Sequence, residues 1–281
     1  VRPNAGLELA ITTDMLVEGR HFGRDADPRQ LGHKALAVNL SDLAAMGAAP
    51  RWALLSLALP AAEERWLAAF SAGLFALAGR FGVELIGGDT TRAEARVINI
   101  VALGEVPAGV ALYRSAAQAG DDLWVSGELG GAALGLRRPD IAEAARRLHE
   151  PEPRVELGER LRGLAHAAID ISDGLVGDLA HIVERSRLGA QVSYERLPRD
   201  RAFRAVQDAE LERDCVLSGG DDYELAFTAA PAQRAAIEAL GAELALPLTR
   251  IGTMVAGTPR VDVLDAQGRA LPYRPAFDHF S

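Results

Sequence analysis

Cysteine is almost missing from this chain: Cys215 is the single thiol among 281 residues. One thiol can form neither a disulfide within the chain nor a cysteine-based zinc site, and such usage suits a reducing cytoplasm. Long apolar runs are missing as well. The longest, Trp52 to Ala62, contains Pro60 and falls well short of the roughly 20 residues that cross a bilayer. No basic region followed by an apolar signal core opens the sequence. Basic residues are outnumbered and unclustered: 30 Lys and Arg against 39 Asp and Glu leave a net charge of −9. That balance repels nucleic-acid phosphates and anionic lipid. The expectation is a soluble cytoplasmic protein with no nucleic-acid or membrane partner. The first residue is Val1 and a strand pattern begins by Leu7, so a preceding segment is expected outside this numbering.

What is present is ordinary globular material, 49% hydrophobic and 25% charged, enough for sizeable cores. At roughly 150 residues per domain the length suggests two. Leu7 to Thr13 alternates apolar and polar residues and reads as a strand that places Asp14 at its end. Asp27-Pro28 offers an N-cap and a first-turn proline for a helix running to Met46, with Asp42 inside it. Strand Trp52 to Leu59, helix Glu63 to Phe81, strand Val83 to Ile86 breaking at Gly87-Gly88, and strand Val97 to Val106 complete one α/β unit. A second begins with strand Leu123 to Ser126 and continues through three helices to a strand at Ala167 to Ile169. The segment Asp170 to Gly174 then leads into a helix ending near Gly189. Further strands are expected at Ala190 to Tyr194, Glu224 to Thr228, Thr249 to Met254 and Arg260 to Leu264. The boundary falls near residue 114, giving an N-terminal α/β domain, 1–114, and a C-terminal one, 115–281.

Most acids in so acidic a chain are simply solvated. Asp14, Asp89, Asp170, Asp173, Asp221 and Asp222 differ in falling at expected strand ends or glycine-containing turns, where the active groups of α/β proteins collect. Asp42 differs because its helix is otherwise apolar, and a carboxylate there is costly unless a cation or donor meets it. Carboxylates converging from both halves would make a negative pocket suited to magnesium, which takes hard oxygen ligands together with substrate phosphates. Asp173, just ahead of a helix, fits an N-cap as well as a metal ligand, and Asp89 fits a turn acid. Gly87-Gly88, Gly219-Gly220 and Gly127 to Gly131 could let a backbone approach phosphate. None has the spacing of a P-loop or a dinucleotide fingerprint. His21 has no metal-ligand partner nearby in sequence and reads as a surface or turn histidine.

Six strings, in order, resemble the thiamine-monophosphate kinase family. They are Thr12 to Phe22 (TTDMLVEGRHF), Lys34 to Ala48 (KALAVNLSDLAAMGA), Leu85 to Thr91 (LIGGDTT), Ile169 to Leu175 (IDISDGL), Ser218 to Leu225 (SGGDDYEL) and Phe277 to Phe280 (FDHF). The resemblance implies an α/β (α+β) enzyme of the aminoimidazole-ribonucleotide-synthetase-like (PurM-like) superfamily, two domains each with a mixed sheet and helices, acting as a homodimer. It implies transfer of the ATP γ-phosphoryl group to thiamine monophosphate with several Mg2+ ions, giving thiamine diphosphate and ADP. Carried over by position, Thr12, Thr13, Asp14, Asp42, Asp89, Asp170 and Asp173 form the metal shell, while Gly88, Asp89, Arg114 and Ser172 contact ATP. His21, Asp221 and Phe277 contact the thiamine phosphate. No general base is assigned, because the acceptor phosphate is already anionic. Where the family has Gly-Gly-Glu-Asp, this chain has Gly219-Gly220-Asp221-Asp222, one methylene shorter. The rival readings are a sister ATP-dependent enzyme acting on another acceptor and a catalytically silent nucleotide-binding dimer.

Overall fold

The computed structural model describes residues 1–274; Phe277, expected at the substrate, lies outside them. Two sheets, one on each side of residue 114, organise the chain. The first has strands β1 (Leu7–Val17), β2 (Ala49–Leu59), β3 (Glu84–Arg92) and β4 (Val97–Pro107), in the order β1-β4-β2-β3. Its antiparallel pairs are β1 with β4 and β4 with β2, whereas β2 and β3 run parallel. The second has β5 (Asp122–Ser126), β6 (Ala167–Asp170), β7 (Gly189–Ser193), β8 (Leu225–Ala229), β9 (Leu248–Val255) and β10 (Val261–Leu264), in the order β10-β7-β9-β5-β8-β6. Both sheets are mixed, β10 being parallel to β7.

Helix α1 (Pro28–Ala45) packs against both sheets. Asp27 caps it, its carboxylate accepting from the N–H groups of Arg29 and Gln30, and Pro28 occupies the first turn. Its apolar residues Leu31, Leu36, Leu40 and Leu43 join a core that contains β1 and β4 residues and also Trp124, Leu157, Ala168 and Phe227 of the second half. A helix buried on nearly every side carries whatever polar residues it holds into the interior. Helix α2 (Glu64–Phe81) crosses α1 at a backbone contact made possible by two glycines. A Cβ on Gly73 would stand 1.8 Å from Arg29 O, and one on Gly32 2.0 Å from Phe70 O.

The helices α3 (Gly131–Arg137), α4 (Ala142–His149), α5 (Val155–Leu161), α6 (Leu175–Ser186), α7 (Ala209–Ser218) and α8 (Arg234–Glu243) belong to the second half. A second core, with Leu123, Val125, Ile169, Leu179 and Val216, fills the other face of the larger sheet. Strand β8 is therefore buried along its whole length, apolar except for Thr228.

Two expectations change. Strand β1 continues to Val17, paired with β4 throughout, so Asp14 lies within a strand, opposite Ile100. Strand β3 runs through Gly87-Gly88 to Arg92, so Asp89 is a strand residue and not a turn acid. Gly88 is small because an added Cβ would lie 1.8 Å from Leu55 O on β2.

Gly73→Ala should lower unfolding stability by about 3 kcal/mol through overpacking of the α1–α2 contact. Urea denaturation with an unchanged midpoint would refute that account of the crossing.

Candidate functional site

The site forms where α1 passes between β1 and β6. On β1 alternate residues face α1: Ala10 and Leu16 are buried, while Ile11 and Met15 on the other face are more than half exposed. Thr12 and Asp14 therefore point at the helix. The Thr12 hydroxyl donates to Asp42 Oδ2. Asp14 N–H donates to Asn39 Oδ1 at 3.2 Å, and Asn39 is in turn held by Ala35 O at 3.0 Å. From β6, Asp170 accepts the Ser41 hydroxyl at 2.7 Å. The carboxyls of Asp14 and Asp170 both lie close beside that of Asp42. Asp173, in the loop after β6, is close enough to act on Asp14 electrostatically.

Mutual repulsion and burial set the electrostatics. Burial first, then Asp42 and Asp173, push the Asp14 carboxyl up to about 7. Burial raises Asp170 well above the usual carboxylate range, and Asp42 adds to it. Asp42 is raised by burial, an effect opposed by the Thr12 hydroxyl and by the Arg114 guanidinium. Carboxyls raised in this way bind protons more readily, in competition with any divalent cation. The donor set is all hard oxygen, which fits Mg2+. As they stand the carboxyls crowd one another, and among the described residues no three His, Cys, Asp or Glu side chains are grouped so as to hold a metal ion. A bound ion would have to part them.

A cavity lies on each side of the cluster. One of about 720 Å3 is lined by Asp14, His21, Lys34, Ser172, Asp173 and Asp221. The other, about 580 Å3, is lined by Thr12, Asp42, Tyr113 and Arg114. His21 Nδ1 accepts Val17 N–H at 3.0 Å, which fixes its ring at the first cavity.

Other carboxylates serve the backbone. Asp178 Oδ2 accepts the N–H groups of Ser172, Asp173 and Gly174 at 3.0, 3.1 and 3.1 Å. Asp173 is thus not the cap of α6, whose N-cap is Gly174. Asp222 accepts Gly130 N–H at the start of α3, so the Gly127–Gly131 segment offers that donor to a carboxylate and not to phosphate. Gly219-Gly220 packs closely too: a Cβ on Gly220 would lie 2.3 Å from Ser172 O. Asp221 N–H donates to that same oxygen at 2.8 Å, which places Asp221 beside the Ser172 loop.

Two expected metal ligands stand elsewhere. Thr13 faces the opposite side of β1, where its hydroxyl donates to Asn99 Oδ1 at 3.2 Å; the two-residue period of a strand separates it from Thr12. Asp89 and Gly88 are exposed on β3, at the far edge of the sheet from β1, about 14 Å away at three strand spacings. Lys34, Asn39, Ser41 and Asp178 were not anticipated. The signal for the first three was their position on the same apolar helix as Asp42.

Two mixed-sheet halves around a buried acidic cluster define the class, and family models agree. The N-terminal domain model of AIR synthase related protein matches residues 1–106 and its C-terminal domain model residues 118–263. Thiamine-monophosphate kinase of Salmonella typhimurium is 45% identical over 97% of this chain and 87% of its own, and that of Escherichia coli K12 is 43% identical over the same shares. The crystal structure of thiamine-monophosphate kinase from Stenotrophomonas maltophilia K279a superposes with a TM-score of 0.90 at 47% identity, covering 96% of this chain and 89% of the other. The structure of AaThiL complexed with AMPPCP and TMP superposes at 0.87 with 30% identity, covering 99% and 89%. The chain belongs to the thiamine-monophosphate kinase family and is an ATP-dependent phosphotransferase.

Asp14→Asn should raise the thermal stability of the metal-free protein at neutral pH. With a folded pKa near 7 against about 3.9 unfolded, the unfolded chain loses its proton first, so the wild type loses stability as pH rises through that window. The advantage of the Asn variant should grow between about pH 4 and pH 7 and then level off. Calorimetry showing a constant difference across that range would contradict the repulsion argument.

Proposed function

We propose that this chain transfers the γ-phosphoryl group of ATP to thiamine monophosphate in a Mg2+-dependent reaction, giving thiamine diphosphate and ADP. The observation that carries this reading is the carboxylate cluster wedged between two cavities, one touching it through Asp14 and Asp173, the other through Thr12 and Asp42. The larger cavity takes thiamine monophosphate beside His21 and Asp221, and the smaller takes the nucleotide beside Arg114. An acceptor phosphate oxygen forms its bond to the γ-phosphorus as the bond from γ-phosphorus to the β–γ bridging oxygen breaks, and ADP leaves with that electron pair. Bound Mg2+ supplies charge neutralisation to both polyphosphates. Thr12, Asp14, Asp42, Asp170 and Asp173 would hold it; Arg114 orients the nucleotide from the smaller cavity, and Ser172, on the wall of the larger one, meets its γ-phosphate where the two substrates join. No side chain needs to remove a proton, so catalysis is positioning and electrostatics.

The protein works as a homodimer in this reading. The smaller sheet leaves one face uncovered, with Ile11 58% and Met15 54% exposed, and β1 and β3 are its unpaired edges. Exposed apolar sheet with open edges invites a second copy. A copy that laid β3 along β1 would bring its own Gly88 and Asp89 to the cluster, accounting for two residues that one chain leaves apart. The chain divides at residue 114, the first domain supplying this interface and the second completing the ATP and substrate site. A cytoplasmic setting, where ATP and magnesium are available, goes with this reading.

Incubation with ATP, Mg2+ and thiamine monophosphate should yield thiamine diphosphate. Asp42→Asn should keep the circular-dichroism spectrum and lose at least about 100-fold in kcat; an unchanged rate would remove Asp42 from the metal site. In sedimentation equilibrium the wild type should show twice the chain mass, and Ile11→Lys with Met15→Lys the single mass. A wild-type monomer that is fully active would refute the shared site.

A further inference from the structure

Lys34 lies inside α1 and is only 5% exposed, an unusual place for an ammonium group unless it is paired. Its Nζ stands 3.0 Å from Asp221 Oδ2, and the Tyr223 hydroxyl donates to Asp221 Oδ1 at 3.0 Å. This trio joins α1 to the turn after α7, and all three side chains line the 720 Å3 cavity. The turn is held in a costly shape. Asp221 has φ 67° and Tyr223 φ 50°, both left-handed, and backbone bonds from Asp221 N–H to Ser172 O and from Tyr223 N–H to Ile171 O, each 2.8 Å, keep it there. Strain in non-glycine residues persists where the surroundings over-determine it, and it clusters at ligand sites.

Hydrogen-bond capacity indicates what is recognised. An ammonium has three donors and a carboxylate about four acceptor positions. Among the described residues Lys34 spends one donor, on Asp221, and Asp221 spends one position on Lys34 and one on Tyr223. A donor and an acceptor with spare capacity therefore sit side by side at the cavity wall. The pair is neutral as a unit, which makes it a poor anchor for phosphate. Along α1, Lys34 is eight residues from Asp42, about 12 Å, and with Asp221 it forms part of the acceptor-cavity wall beside the Ser172 loop.

We infer that Lys34 is a specificity-determining residue: with Asp221 it forms a donor–acceptor pair that recognises an amino-substituted heteroaromatic edge, an exocyclic amine beside a ring nitrogen. The amine donates to Asp221 and the ring nitrogen accepts from Lys34. This deepens the kinase reading and rests on it, since the aminopyrimidine of thiamine monophosphate presents such an edge. Replacing the amine by a carbonyl inverts the pattern, setting the carbonyl against the carboxylate and a ring N–H against the ammonium.

The test compares kcat/KM for thiamine monophosphate and for its 4-oxo analogue, oxythiamine monophosphate, with ATP saturating. The wild type should prefer the amino compound by about 100-fold or more, because a site built for hydrogen bonds rejects a partner that leaves them unmade. Lys34→Met should raise KM for thiamine monophosphate by about 10-fold or more, leave KM for ATP unchanged, and narrow the preference at least about 10-fold. Asp221→Asn, whose amide can turn a donor toward the carbonyl, should narrow it independently. A wild type that uses both acceptors equally overturns the inference. So does Lys34→Met with an unaltered preference, even if kcat falls, since a residue that only braces the turn would slow both acceptors alike. A wild type that phosphorylates neither compound instead overturns the kinase reading, and it does so before any variant is made.

Discussion

Negative charge confined between α1, β1 and β6 is the constraint around which this molecule is arranged. Asp14, Asp42 and Asp170 come from three separate elements and lie side by side, although burial disfavours the ionised form of each and repulsion adds to this at Asp14 and Asp170. Hydroxyls from Thr12 and Ser41 and the more distant Arg114 guanidinium offset only part of this. Such a cluster is poorly satisfied by protein alone and is of the kind divalent cations satisfy, and two cavities reach it, one through Asp14 and Asp173 and the other through Thr12 and Asp42.

The acids of the second half show the contrasting solution. Asp178 is deeply buried and Asp222 partly so, and burial raises both, but each is occupied by backbone N–H groups. They hold loops in place: Asp178 shapes the turn that presents Ser172 and Asp173, and Asp222 closes the start of α3. One residue type thus does two jobs in the same molecule, separated by whether main-chain donors or other carboxylates surround it. The packing that makes this possible is a core shared by both halves, so carboxylates on either side of residue 114 are held together by apolar contact and by the close approach of α5 to α1, where a Cβ on Gly158 would stand 2.0 Å from Ala44 O.

Several features were legible before any coordinates. Asp27-Pro28 marks the start of α1 because a capping acid and a first-turn proline act locally. Asp42 is conspicuous because its neighbours are apolar, and Asp14, Asp170 and Asp173 sit in strings that resemble a known family. Reading strand ends was less secure. Gly87-Gly88 looks like a break, yet β3 continues through it, since the glycines serve a close approach to β2 that pairing alone reveals. Thr12 and Thr13 are adjacent in sequence and point to opposite faces, a distinction that follows only once β1 is known to extend through Asp14. Lys34 and Asp178 carry no sequence signal of their partners, which lie 187 residues and one loop away respectively.

The sequence by itself determined the start of α1, most strand candidates, the net acidity and the identity of the acids, because each depends on neighbours along the chain or on composition. Tertiary structure alone decided which acids meet one another and which meet backbone, which side of β1 carries the site, and that a buried lysine faces Asp221. Those outcomes depend on how α1 is seated between two sheets, a long-range packing result that no local pattern encodes.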